Sequence, residues 1–327
     1  MRGAAIGLVI AACGGGGGHA TTKDAPSDSA SGSGVGGLSD MYPGDVGLGS
    51  DPSVVWFEDF EEGSVPAITG RYDQAQGAAR MTVISDHVGG AAALQLVAGA
   101  GVDAVDLYKQ LPDSDEWYVR WYAKYQAAAP WHHSGMWIGG YNPGMTYPSP
   151  MAGYKPNGDD RFSIAIEPVW NVGAAGTRFD FYDYWMAMHS WMTTVTNDGT
   201  SYYGNSMIHA NGFTLDEGSW VCLELHVHLN PGAVLEVWKN DTPVIRYDDA
   251  GPLGYWIRDK FCPAGADGSE CTDYPAPATD PLDLQLRSVT TYGLNAFWPQ
   301  NYVTDTAQAT LIYDQMVVAK SRIGCMR

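Results

Sequence analysis

Hydrophobic and polar residues alternate along much of this chain. In "WVCLELHVHLN" (220–230), Val221, Leu223, Leu225, Val227 and Leu229 take the odd positions. Glu224, His226, His228 and Asn230 take the even ones. A period of two marks a strand with one buried face. The same alternation predicts strands at 117–126, 161–170, 178–185, 233–240, 281–293 and 309–320. The runs "VVWFEDF" and "AALQLVA" add two more. Gly, Pro, Asn and Asp separate these runs, and Asn230-Pro231-Gly232 and Asn240-Asp241 read as turns between neighbouring strands. No long amphipathic helix pattern and no repeat of fixed period is found. Nine or so strands over about 270 residues predict an all-β chain, folded as one sandwich.

The polar faces of these strands have an unusual composition. Arg120, Tyr122 and Lys124 share a face, as do Arg161, Ser163 and Glu167. Arg178, Asp180, Tyr182 and Tyr184 form another set, Glu236 and Trp238 a fourth, and Asp283, Gln285 and Arg287 a fifth. A solvated face is ordinarily rich in Lys, Thr, Ser and Glu. These faces carry large planar groups that stack and hydrogen-bond, the chemistry that recognises sugars. If the faces lie on one sheet, they form a polysaccharide-binding floor that includes Glu224, His226 and His228.

Charge narrows the partners. Acids number 37 against 18 Lys and Arg, for a formal net charge of −19. That excludes the basic footprint nucleic acid requires and a polybasic membrane contact. The N-terminus "MRGAAIGLVIAAC" has one Arg, a short apolar run and Ile10-Ala11-Ala12-Cys13, which resembles a bacterial lipobox. This predicts a signal peptide over 1–12 and lipidation of Cys13. The apolar run is too short to span a bilayer, so membrane contact would come only through the lipid anchor. A Gly/Ser/Asp-rich stretch follows, and residues 13–50 read as the lipidated Cys and a flexible tether ahead of a domain over 51–327. Export to the cell envelope, at the outer membrane or cell surface, makes disulfides plausible. The polar loop "FCPAGADGSEC" favours a Cys262–Cys271 bridge, and the sequence leaves Cys222 and Cys325 open between pairing and free thiols.

The strings "AGYKPNGDDRFSIAIEP", "FYDYWMAM", "YYGN", "GSWVCLELHVHLN", "LEVWKND" and "IYDQMVVA" resemble exported bacterial proteins of the alginate-lyase-like and glucuronan-lyase-like group. The resemblance implies a concanavalin A-like jelly roll, two antiparallel sheets with a ligand cleft on the concave one. It also implies a structural calcium ion held by an acid from the first strand and one from the last, here Glu58 and Asp314. No cofactor is implied for catalysis. The Glu-x-Asp-x-x-Glu strand of laminarinase-type hydrolases, which share the fold, is missing, although Glu224 and Glu236 could meet across a hairpin to supply a carboxyl pair.

A uronate lyase neutralises the C5 carboxylate, removes the C5 proton and protonates the departing O4. Arg161 or Arg178 suits the first task, His226 or His228 the second, and Tyr182 or Tyr184 the third. Arg120, Lys124 and Arg287 suit neighbouring uronates. His132 and His133, in the Pro/Gly-rich segment "PWHHSGMWIGGYNPGM", suit a groove rim, with only one of the two facing ligand. The expected function is a monomeric, carbohydrate-active lipoprotein that cleaves an anionic polysaccharide by β-elimination. The alternatives are a non-catalytic polysaccharide-binding lipoprotein, a hydrolase, or a structural envelope protein.

Overall fold

The computed structural model describes residues 36–143, 152–169, 177–188, 202, 213–248, 254–263, 272–273 and 292–327, less short gaps at 100, 102–103, 187, 230–231, 258–259 and 304–306. Strands in chain order are β1 (Val54–Glu58), β2 (Gln74–Gln76), β3 (Met81–Ile84), β4 (Ala93–Ala98), β5 (Ala104–Ser114) and β6 (Glu116–Tyr125). Then come β7 (Gly135–Tyr141), β8 (Arg161–Val169), β9 (Arg178–Tyr184), β10 (Phe213–Thr214), β11 (Trp220–His228) and β12 (Val234–Lys239). The remainder are β13 (Thr242–Asp248), β14 (Gly254–Ile257), β15 (Lys260–Pro263), β16 (Thr272–Asp273), β17 (Leu294–Tyr302) and β18 (Ala309–Ala319).

These strands build the expected jelly-roll sandwich. One antiparallel sheet runs β13-β12-β11-β6-β18-β4-β3, with β1 also paired to β18. The other runs β10-β9-β8-β7-β17-β5-β2, and β14–β16 form a small third sheet. Leu223, Leu225 and Val227 of β11 point into the core, as do Phe162, Ile164 and Ile166 of β8. Phe181 of β9 meets Tyr247 of β13 across the two layers at 5.6 Å. The β12–β13 turn is made by Asn240 and Asp241, both at positive φ (49° and 62°), the backbone a two-residue hairpin turn demands.

Residues Leu38–Ser50, upstream of the expected boundary at 51, form three short 3₁₀ turns laid over the outer face of the β6/β18 sheet. The cause lies in β18. A bulge at Gln315 (φ 46°) shifts the strand's register, after which Met316 and Val318 face the core while Val317 and Ala319 face outward. A strand apolar on both faces needs cover on both. Leu38, Leu48 and Ile323 supply it. The segment after β18 crosses the same face and is held by a Cys222–Cys325 disulfide, so these two thiols are paired. Cys13, Cys271, Gln285 and Arg287 lie outside the described residues.

Candidate functional site

The polar strand faces fall on two sheets, not one. Arg120, Tyr122, Lys124, Glu224, His226, His228 and Trp238 are on the outer face of the β6/β11/β12 sheet. Arg161, Glu167, Arg178, Asp180, Tyr182 and Tyr184 are on the outer face of the β8/β9 sheet, on the other side of the sandwich. Alternation assigns a face to each residue but not a sheet to each strand.

The first set is structural. Arg120 is fully buried, its guanidinium paired with Asp45 and bonded to Ser39 Oγ and to the carbonyls of Gly324 and Gln315. Glu224 accepts the Ile323 and Gly324 amides at 2.7 and 2.9 Å, and burial raises its pKa. Tyr122 Oη accepts from the Met326 amide, and Lys124 pairs with Asp86. His226 stacks flat on Tyr118 at 4.0 Å between Glu116 and Glu236. Burial lowers its pKa, but the hydrogen bond to Glu116 and the nearby Glu236 carboxylate outweigh this and raise it. Trp238 lies beneath Arg322, and His228 Nδ1 meets the Gly232 carbonyl. These seven residues line no part of the groove described next, so His226 and His228 are not its base.

The groove is a cavity of about 510 Å3 on the outer face of the β8/β17 sheet. Its floor follows the register. One row across the strands reads Gln76, Asp106 and Gln300, each directly opposite the next. A second row is aromatic. Tyr108 stacks on Trp298 (5.7 Å, 27°), Trp298 stacks on Trp137 (5.7 Å, 16°), and Trp137 meets Tyr182 edge-on at 5.7 Å. Ala165, opposite both Trp137 and Tyr182, is small enough for those rings to meet over it. A third row, Ala296, Gly139, Ser163 and Tyr184, is low in its middle. A Cβ added at Gly139 would sit 2.1 Å from the Phe162 carbonyl oxygen, so that low floor requires glycine.

Acid–base groups gather at one end. His133 Nδ1 is 2.6 Å from Oε1 of Glu167, a carboxylate only 1% exposed. Burial raises the Glu167 pKa and His133 opposes that rise. The His133 ring lies 4.6 Å from that of Tyr182, whose hydroxyl is 3.1 Å from the Tyr184 hydroxyl. Gln300 Nε2 donates to the His133 carbonyl and fixes the loop. His132 is turned toward Tyr302, and burial together with His133 lowers its pKa to about 4. As expected for adjacent histidines, only His133 lines the groove. Arg161 and Arg178 stand on the same strand faces but outside the cavity lining, which among the described residues contains no Lys or Arg. Asp106, Tyr108, Trp137, Trp298 and Gln300 escaped the sequence reading. Their signal is alternation in "DLYKQ" and "FWPQNY", the latter broken by Pro299.

Glu58 and Asp314, the pair expected to hold calcium, both accept hydrogen bonds from the protein. Glu58 takes Arg71 at 2.8 Å and the Phe60 amide, while Asp314 accepts the Val88, Gly89 and Gln315 amides. The acids gathered with Glu58 are Asp59 and Glu62.

Strand order and groove together define a two-sheet jelly roll with an aromatic-floored cleft on one sheet. No family model matches the chain, and no curated protein does. It is similar to the solved alginate lyase Aly36B at 12% identity, covering 84% of this chain and 98% of that one, with a TM-score of 0.46. It is also similar to the endo-beta-1,4-glucuronan lyase of the fungus Trichoderma reesei (12% identity, 82% and 95% covered, TM-score 0.41). A third likeness is to the cellulose induced protein Cip1 (15% identity, 83% and 99% covered, TM-score 0.41).

Proposed function

We propose that this protein is a polysaccharide lyase that cleaves a uronate-containing polymer by β-elimination in the groove. The observation that carries the reading is the His133–Glu167 pair set against Tyr182 and Tyr184 on an aromatic floor. With Nδ1 engaged by Glu167, His133 Nε2 is the nitrogen left to take the C5 proton, and Glu167 steadies the resulting imidazolium. The C5–H and C4–O4 bonds break, and a C4=C5 double bond forms. Tyr182 gives its phenolic proton to O4 of the departing chain, and Tyr184 relays a proton back to it. Gln300, which lines the groove, supplies an N–H group toward the C5 carboxylate. The base is thus His133, in place of the histidines expected on β11.

The rest of the reading is a cell-envelope protein lipidated at Cys13, which radiolabelled-lipid incorporation lost in C13A would test. A non-catalytic glycan-binding lipoprotein is the alternative, since a groove of stacked rings also suits binding alone.

The test uses the chain from Gly36 onward with uronate and neutral polysaccharides, with and without calcium. It records the ultraviolet absorbance of a 4,5-unsaturated uronate. Turnover is expected on a uronate polymer, with a loss of roughly 10²-fold or more in kcat for Tyr182→Phe and for His133→Ala. A flat trace on every polymer, with binding retained, overturns the lyase in favour of the binding module.

A further inference from the structure

Asp106 lies across the groove from the acid–base cluster and has no part in the chemistry proposed there. It is only 1% exposed, yet it lines the cavity. Tyr108 Oη donates to its Oδ2 at 3.0 Å, while its Oδ1 is buried with no partner. A buried carboxylate oxygen without a donor is costly and calls for an explanation. Gln76 and Gln300 flank it directly on the neighbouring strands, and Gln74 stands opposite Tyr108. Beside this row the stacked Tyr108 and Trp298 rings offer a flat platform.

We propose that this end of the groove is a subsite for a neutral sugar ring, with Asp106 Oδ1 accepting one of its hydroxyls. The Gln76 carboxamide, directly opposite Asp106, supplies a donor and an acceptor for further hydroxyls, and the Tyr108–Trp298 platform takes the ring's apolar face. A uronate is disfavoured there, because its carboxylate would face Asp106 in a cavity whose lining, among the described residues, holds no Lys or Arg. The substrate class narrows accordingly to a heteropolymer, with a uronate between His133 and Tyr182 and a neutral hexose over Tyr108. Burial pushes the Asp106 pKa up to about 7, in keeping with an oxygen that lacks a donor until a hydroxyl arrives. The inference rests on the groove being a polysaccharide site.

The test compares an oligosaccharide of alternating uronate and neutral hexose with an all-uronate oligosaccharide of equal length. Affinity is measured at pH 8 by calorimetry for wild type, Asp106→Asn and Gln76→Ala. Wild type is expected to favour the mixed ligand at least tenfold. Asp106→Asn is expected to remove that preference, by weakening the mixed ligand and strengthening the all-uronate one. Gln76 is on the exposed edge strand β2, so Gln76→Ala keeps the test alive if Asp106→Asn does not fold, and it is expected to weaken only the mixed ligand. Equal affinities in wild type, or an unchanged preference in both variants, overturn the subsite while leaving the groove intact. Absence of binding to either ligand overturns the subsite and the polysaccharide reading together.

Discussion

Among the carboxyls that burial raises, Asp106 moves to about 7, Glu58 to about 7 and Asp314 to about 6. Each folded pKa lies above the ordinary value, so between the two the native state holds more protons than the unfolded chain. Their contribution to stability is full below about pH 4 and is lost as pH rises to about 7. His132 has the opposite sign, since its pKa is lowered to about 4 and its contribution is lost as pH falls toward that value. The Asp106 part is isolated by subtraction. Asp106→Asn minus wild type should rise by on the order of 4 kcal/mol between pH 4 and pH 8, read from denaturant unfolding. A difference that is flat with pH would mean that Asp106 stays ionised throughout. At this scale Glu167, Tyr182 and Tyr184 were legible as groove residues, because β8 and β9 alternate cleanly and period two alone tells inside from outside. His133 was legible only as a rim residue. Asp106 was not, since the polar second half of β5 blurs its alternation.

Among the elements, β18 has the largest structural effect on its surroundings. Its bulge at Gln315 turns Val317 and Ala319 outward and commits the preceding segment to cover them. The Arg120–Asp45 pair locks that cover down, both side chains being buried. Asp45→Ala leaves a buried guanidinium without its counter-ion and should cost about 3–5 kcal/mol. The double variant Asp45→Leu, Arg120→Met should recover most of that loss, since no charge is then buried. Equal stability of Asp45→Ala and wild type would show that the cover is not held by this pair. The apolar run "MVVA" was visible in the sequence, but the Gly/Ser-rich composition upstream disguised its partner. Only Leu38 and Leu48 within that stretch carry the burial, and two residues are too few for a periodic signal. The strand Leu294–Tyr302 was hidden for a different reason: Pro299 in a central strand argues against strand on general grounds.

For the whole molecule, alternation and turn chemistry sufficed for an all-β sandwich of two antiparallel sheets. They could not assign strands to sheets, because sheet membership depends on contacts distant in sequence. The expectation of a basic groove failed for this reason. Arg120 and Lys124 are on the opposite side of the sandwich, and the cavity lining is free of Lys and Arg among the described residues of a chain of net charge −19. A polyanionic substrate therefore meets net repulsion. Raising ionic strength from about 0.01 M to about 0.15 M should lower KM for a uronate polymer, because screening shortens the reach of that repulsion. A rise in KM over the same range would reveal a local basic patch steering the polymer.

The covering segment and the stretch after β18 meet on the back of the sandwich. Gly44 N donates to the Arg327 carbonyl, and the Arg327 guanidinium pairs with Asp40. Gly36 and Arg327 thus share one side of the molecule, and the groove opens on the other. Mooring the domain at either point, to a bead, a fusion partner or a chain leading to a surface, leaves the mouth of the groove unshadowed. A polymer much longer than the protein could then lie across it without running into whatever holds it.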